Sequence, residues 1–309
     1  MTTTHKKIRL PSPITDTVIL NPGAHIFLRP HALQFGMDAT RSGIVELPDY
    51  LCQPLVHIFH RLRQPMRKDY LLDQLGAIGM DRYSAKVLLN ELLTLGVLHS
   101  CTQLPHIAVI GRGVATTATI RLLNDLGFPI IRLNAQENTA LVLANIDPDT
   151  PLVLINELIH MAELANIVGK FTTIIPANII DGRILIGPTR IHGTGPCPYC
   201  LVLRLHDQDP YWHEIMSQKT SHINADPLTH IALASQVCAL VANLYLPTPA
   251  PGLPTRTIKP HRLIHFGAYG HGSSWRIMST HPLCVECFNF RQQQTQPQSL
   301  IPARRISRP

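Results

Sequence analysis

Cys197-Pro-Tyr-Cys200 and Cys284-Val-Glu-Cys287 are two CxxC pairs. This spacing puts two thiolates on one tight turn, close enough to share a metal ion, and two such knuckles complete a tetrahedral four-sulfur shell. With every position taken by a protein thiolate, no site is left for water, so the ion expected is a structural zinc held by Cys197, Cys200, Cys284 and Cys287. The stretch Leu201–Leu283 between the pairs is longer than a compact zinc ribbon uses. The site would therefore staple two distant parts of one domain. Two independent redox pairs, or disulfides, are the competing assignment; a redox CxxC normally opens a helix after a strand. His192 and His281 lie near the pairs, but four thiols suffice without them.

A second pattern is Gly111-Arg112-Gly113-Val114-Ala115-Thr116, directly after the apolar run Ile107–Ile110. Glycines at a strand-to-helix turn let a phosphate approach a helix N-terminus, so Gly111 and Gly113 are candidate nucleotide contacts. The fingerprint also wants a third Gly or Ala, where Thr116 stands, and an acid after the second strand, where Asn134 stands with Glu137 slightly late. The competing assignment is a strand–turn–helix with purely structural glycines. No nucleophile–base pair is readable among the 17 histidines, and no catalytic residue is assigned. Cys238 sits in an apolar helix and is a poor nucleophile.

Composition bounds the rest. The 309 residues, 45% hydrophobic and 15% charged, supply enough apolar material for two cored domains and argue against wholesale disorder. Net charge is +7, which points to an acidic partner or to basic residues scattered over the surface; the one basic run is Arg304-Arg305 with Arg308. No apolar stretch of signal-peptide length follows the N-terminus. The most apolar window, Leu228–Leu246, contains His230, Ser235, Gln236 and Asn243, which fits a buried helix rather than a membrane span. Of the seven cysteines, Cys52, Cys101 and Cys238 stand singly in apolar contexts. That pattern fits a reducing, cytoplasmic compartment.

These residues need elements to position them. Residues 17 to 46 read as short strands, at Val18–Leu20, His25–Arg29 and Leu33–Met37, with a turn at Asn21-Pro22-Gly23. Helices are expected at about Asp49–Leu62, Lys68–Leu75 and Asp81–Leu95, the last capped by Asp81 and stopped by Gly96. A closing strand starts at Val97. Short strands, three helices and a return strand describe a winged-helix-like α+β module over 17–100. Apolar strands alternating with helices then predict a parallel α/β sheet over 105–290. It would use strands at Ile107, Pro129, Leu152, Thr172 and Arg183, with a late hairpin at His261–Phe266 and Ser274–Met278. Residues 1–16 and 291–309 read as flexible tails, and 247–260 as an exposed loop.

The segment Gly193-Thr-Gly-Pro-Cys-Pro-Tyr-Cys-Leu-Val-Leu-Arg204 resembles the TPCxxCLxxxR signature of ThiF-like proteins from azole-forming peptide clusters, within the ubiquitin-activating-enzyme superfamily; so does His281–Cys287. The resemblance covers roughly 17–290. It implies a Rossmann-like ThiF-type domain behind a precursor-peptide recognition element. It also implies a function: binding the leader of a ribosomally made precursor peptide and presenting it to a YcaO-type cyclodehydratase that forms thiazolines and oxazolines. The leader would add as a strand beside the element's sheet, next to its third helix. Carried onto this chain, the docking edge falls on Leu33, Gln34, Phe35, Gly36 and Met37, and the facing helix Tyr83–Leu95 offers Lys86, Val87, Asn90 and Glu91. An acidic leader would suit the basic balance.

Active adenylating relatives of the ThiF and MoeB type use an acidic ribose contact, an Arg, a Lys and a magnesium-positioning Asp. Here Asn134 and Asn156-Glu157 stand at the acidic positions, and Arg121 and Lys170 are unplaced. The resemblance with these departures implies a scaffold without ATP chemistry of its own, no fused YcaO domain after the second CxxC, and a possible homodimer. The alternatives are an ATP-dependent adenylating enzyme, and a winged-helix DNA-binding regulator. The latter is disfavoured because Tyr83–Leu95 carries Lys86 as its only basic residue.

Overall fold

The computed structural model describes residues 16–38, 43–101, 103–134, 136–218, 225–246, 258–269 and 272–295. The expectations for 1–15, for 247–257 and for 296–309 lie outside the described residues. The chain divides into two compact units, Met1–Leu104 with Asn243–Thr257, and Pro105–Ala242 with Ile258–Pro309.

The first unit opens with β1 (Thr17–Leu20), β2 (Ile26–Arg29), β3 (Ala32–Phe35) and β4 (Gly43–Glu46). It continues through α1 (Asp49–Arg61), the two-residue strand β5 (Met66–Arg67), α2 (Lys68–Ala77), α3 (Arg82–Thr94) and β6 (Leu98–Ser100). Apolar spacing explains the helices. Leu51, Leu55, Ile58 and Phe59 of α1 are buried, as are Ala85, Leu88, Leu89 and Leu92 of α3. Asp81 caps α3 by accepting from the backbone N–H groups of Tyr83 and Ser84, both at 3.0 Å. Phe35 meets Phe59 edge-on, with centroids 5.5 Å apart, inside this core.

Two antiparallel three-stranded sheets flank it, in the orders β5-β1-β6 and β2-β3-β4. The second order corrects the expected docking edge. β3 is central, paired to β2 on one side and to β4 on the other. Leu33 and Phe35 are buried, Gln34 spends its amide on the carbonyls of Gly36 and Met37, and the Gly36 N–H donates to His25. The open edge next to α3 belongs to β4.

The second unit runs β7 (Ile107–Gly111), α4 (Val114–Asp125), β8 (Ile130–Arg132), α5 (Thr139–Ala144), β9 (Leu152–Ile155), α6 (Met161–Val168), β10 (Ile174–Ile180) and β11 (Arg183–Ile186). It ends with α7 (Tyr199–Gln208), α8 (Trp212–Ser217), α9 (Pro227–Tyr245), β12 (Arg262–Phe266), β13 (Ser274–Ile277) and α10 (Val285–Thr295). One seven-stranded sheet takes the order β13-β12-β11-β10-β9-β7-β8. β8, β7, β9 and β10 pair in parallel, and their unbroken apolar runs are what a sheet covered on both faces requires.

From β10 onward the pairing is antiparallel, so the sheet is mixed rather than wholly parallel. The cause is local. Ile180 pairs with Arg183 across Asp181-Gly182, both at positive φ (49° and 72°), the two-residue hairpin turn that Asp-Gly favours. α10 corrects the expected C-terminal tail: it continues to Thr295, its register set by Cys284 and Cys287 at the start and by the buried Phe290. Among the described helices α9 is long and apolar enough to cross a membrane. Leu233, Ala234, Val237, Cys238 and Val241 are nevertheless buried, and the Cys238 thiol lies 3.6 Å from the Thr119 carbonyl of α4. Burial pushes that thiol up to about 12, which makes it inert at neutral pH.

Truncating Phe59 to alanine leaves a void under Phe35. Urea unfolding of Phe59→Ala is expected to show a loss of about 3–5 kcal/mol; an unchanged midpoint would mean that the first unit does not depend on this aromatic pair.

Candidate metal centre and peptide-docking groove

Cys197 precedes α7 and Cys200 lies in its first turn; Cys284 precedes α10 and Cys287 lies in its first turn. Each CxxC therefore opens a helix, a placement that favours thiolate and that redox pairs also use. The distances between the pairs distinguish the assignments. Cys197 and Cys284 sulfurs lie 3.5 Å apart, Cys200 and Cys287 also 3.5 Å, and all four within 4.8 Å of one another. A tetrahedral ion with metal–sulfur bonds near 2.3 Å needs sulfur–sulfur edges of about 3.8 Å. The four thiols are one buried cluster, not two dithiols, and their chemistry fits a soft divalent ion.

The surrounding donors point at sulfur. The Cys197 N–H donates to Cys287 Sγ at 3.2 Å, the His281 N–H to Cys200 Sγ at 3.3 Å, and Arg190 Nη2 to Cys287 Sγ at 3.3 Å. Donation from the Cys197, Cys200 and Cys284 side chains, followed by the Cys197 N–H, holds Cys287 below the ordinary thiol range. Cys197 is pushed above it by its bonds to the other three thiols, with burial adding to them. Successive ionisation is thus progressively resisted, and four buried thiolates coexist only around a cation. His281 turns its ring away, Nε2 to Asp207 at 2.8 Å, with Nδ1 accepting from the Leu283 N–H at 3.2 Å. His192 is exposed and donates its N–H to Thr173.

Arg190 is the participant that sequence reasoning missed. It is 1% exposed and no carboxylate pairs with it among the described residues. Its guanidinium donates to the carbonyls of Gly195 (3.2 Å), Gly169 (2.7 Å) and Phe171 (3.2 Å) besides Cys287, and lies 4.2 Å from the Phe290 ring centroid.

At the glycine turn, Gly111 has φ 144°, and a Cβ there would fall 2.3 Å from the Ile155 carbonyl and 2.9 Å from Thr116 Oγ1. Packing of β7 against β9 and α4 therefore accounts for this glycine without a ligand, and Thr116 occupies the third-glycine position. Gly113 precedes α4 at φ 93°. Beyond β8, Glu137 spends its carboxylate on the N–H and side-chain amide of Asn134 (2.8 and 2.9 Å), which lowers its pKa, while Arg112 donates to the Glu137 carbonyl. After β9, Asn156 accepts from the Ile179 N–H, and buried Glu157 holds His160 at 3.0 Å. Arg121 and Lys170 are exposed and bond to nothing in the turn.

In the first unit, β4 and α3 enclose an open groove of about 480 Å³. β4 contributes Ile44 and Val45; α3 contributes Val87, Asn90, Glu91, Thr94 and Leu95. Ile44, Val87 and Leu95 remain 46%, 39% and 41% exposed, so the apolar wall is uncovered. A Cβ on Gly43 would meet Leu95 Cδ1 at 2.8 Å, so one end is narrow. Val87, Asn90 and Glu91 thus line the groove; Lys86 is exposed outside the lining, and Leu33–Met37 lie a strand away. Sequence reasoning missed Ile44, Val45, Thr94 and Leu95, although Ile44-Val45 after Gly43 carries a strand signal.

No family model and no curated protein matches the sequence. Solved structures do match. The heterocyclase TruD aligns with a TM-score of 0.55 at 15% identity, over 92% of this chain and 45% of that one. A heterocyclase in complex with substrate and cofactor aligns at 0.55 and 14%, over 88% and 40%. The E. coli microcin synthetase McbBCD complex with pro-MccB17 bound aligns at 0.54 and 12%, over 88% and 99%. At these identities the fold is what is shared. The chain spans less than half the length of the two heterocyclase chains.

Metal analysis of the purified protein is expected to give one thiophilic divalent ion per chain. It should be released as pH falls and thiolates protonate, and Cys200→Ser should abolish retention. A metal-free protein with an unchanged melting curve would eliminate the site. Arg190→Gln is expected to speed metal loss to a chelator about tenfold or more. An unchanged release rate would show that Arg190 does not support the cluster.

Proposed function

We propose that this chain binds the leader region of a ribosomally synthesised precursor peptide and presents it to a YcaO-type cyclodehydratase that forms azoline rings. The observation that carries this reading is the edge of β4, unpaired among the described residues, beside the apolar stripe of α3. An extended peptide can add there as a fourth strand, with main-chain bonds for affinity and side-chain pockets for specificity. The fold shared with heterocyclase chains, and with a synthetase complex holding its propeptide, supports it. In this reading the first unit is a winged-helix-like recognition element and the second a Rossmann-like ThiF-type domain. A structural zinc on Cys197, Cys200, Cys284 and Cys287 stabilises that domain without touching substrate. The engaged Glu137, Asn156 and Glu157 support a scaffold without adenylation chemistry, and a homodimer is compatible with it.

Fluorescence anisotropy of the full chain with labelled leader peptides from the same gene neighbourhood tests the reading. Micromolar or tighter binding is expected, weakened about tenfold or more by Val87→Glu, which places a charge on the apolar wall. Absence of binding, with ATP–pyrophosphate exchange present, would favour an adenylating enzyme instead.

A further inference from the structure

Val87, Glu91 and Leu95 recur every fourth residue and all line the groove, so they form one ridge along α3: apolar, acidic, apolar. Each step of four helical residues rises about 6 Å. Alternate side chains of an extended peptide are spaced about 6.6–6.8 Å. A strand laid on β4 turns every second side chain toward the helix, so three such side chains fall in turn opposite Val87, Glu91 and Leu95. Because the ridge is symmetric, the pattern it reads is the same for either strand direction.

Among the described residues Glu91 is the only charged side chain lining the groove, is exposed, and has no ion pair. Its immediate neighbours on the adjacent ridge, Asn90 and Thr94, are neutral, with Thr94 donating its hydroxyl to the Asn90 carbonyl at 2.8 Å, while the exposed Lys86 at the start of that ridge lies outside the groove lining. Glu46, the acid of β4, lines a different cleft together with Arg29 and His31. Between two apolar side chains a carboxylate is less screened than on open surface, and charge complementarity there selects partners.

We infer that the groove recognises an extended segment of the pattern apolar–x–Lys/Arg–x–apolar, with the cation facing Glu91 and the flanking residues packing on Val87 and Leu95. This deepens the peptide-docking reading and rests on it. The local sign is opposite to that expected from the net charge of +7.

A phage-displayed random dodecapeptide library panned against the full chain is the probe. Selected peptides are expected to carry Lys or Arg with apolar residues two positions to either side. In anisotropy, exchanging that cation for Glu should weaken a resynthesised peptide about five- to tenfold, less as salt rises. Glu91→Gln should erase the preference and Glu91→Lys should reverse it; Glu91 is exposed, so both variants are expected to fold, which circular dichroism checks. Peptides that show the apolar alternation but bind regardless of charge, or whose charge preference survives Glu91→Lys, would overturn the pattern while leaving docking intact. No selectable peptide, together with leader binding indifferent to Val87→Glu, would sink both readings.

Discussion

Taking a guanidinium out of water costs several kcal/mol unless acceptors and an anion replace the solvent. In the second unit Arg190 meets that demand with three backbone carbonyls, one aromatic ring and the sulfur of Cys287. Those groups come from the end of α6, from the turn before α7 and from α10, so one side chain ties three segments together. The sulfur that Arg190 touches is also held below the ordinary thiol range by the neighbouring thiols. A divalent ion bound by four thiolates keeps surplus negative charge, and Arg190 lies where it offsets part of that surplus. Cluster and guanidinium therefore specify each other: a bound cation would order the thiolates, and the thiolates would justify a buried arginine that pairs with no carboxylate among the described residues. The long separation of the two CxxC pairs follows, because α7 and α10 each begin at a knuckle and are held together through the sulfurs.

Sheet edges impose the second constraint. An open strand invites another chain to pair with it unless something guards it. β13, at one end of the large sheet, carries Arg276, and its Trp275 ring lies 4.9 Å from the Arg262 guanidinium, so charge and bulk stand along that edge. β4 differs. Gly43, Ile44 and Val45 carry no charge, Glu46 at the strand's end lines a different cleft, and the space beside Ile44 and Val45 is walled by α3. On the docking reading proposed above, an edge that is uncharged over Gly43–Val45 and walled on one side suits a single added strand rather than open-ended association.

Features written in local spacing were legible in the sequence. The helical period of Leu51, Leu55, Ile58 and Phe59 marked α1, Asp81 marked the start of α3, and the CxxC spacing marked all four clustered cysteines. Features set by partner choice were not. Nothing local says that β3 pairs on both sides, and that pairing moved the open edge from Leu33–Phe35 to β4. Asp181-Gly182 did carry a hairpin signal, and weighing it would have shown that the parallel pairing stops at β10. Arg190 had no signal at all, because its contacts run from Gly169 to Phe290 and a lone arginine in a loop looks like any other. The Gln- and Arg-rich stretch after Phe290 resembled a tail because composition does not register that a helix is already anchored upstream by two cysteines.

Net charge and groove charge act over different ranges. The surplus of seven positive charges sets a long-range field that steers encounters and is largely screened beyond about 8 Å at physiological salt. Glu91 acts at contact distance, between two apolar neighbours, where screening by mobile ions is weaker. On the docking reading proposed above, a peptide that is acidic overall yet carries one cation between apolar residues would satisfy both: its flanks would be drawn by the field, and its register on β4 would be fixed by the single carboxylate. Raising the ionic strength then weakens the first effect before the second. For such a peptide association slows while register is kept, and that ordering follows from the different distances at which the two charges act.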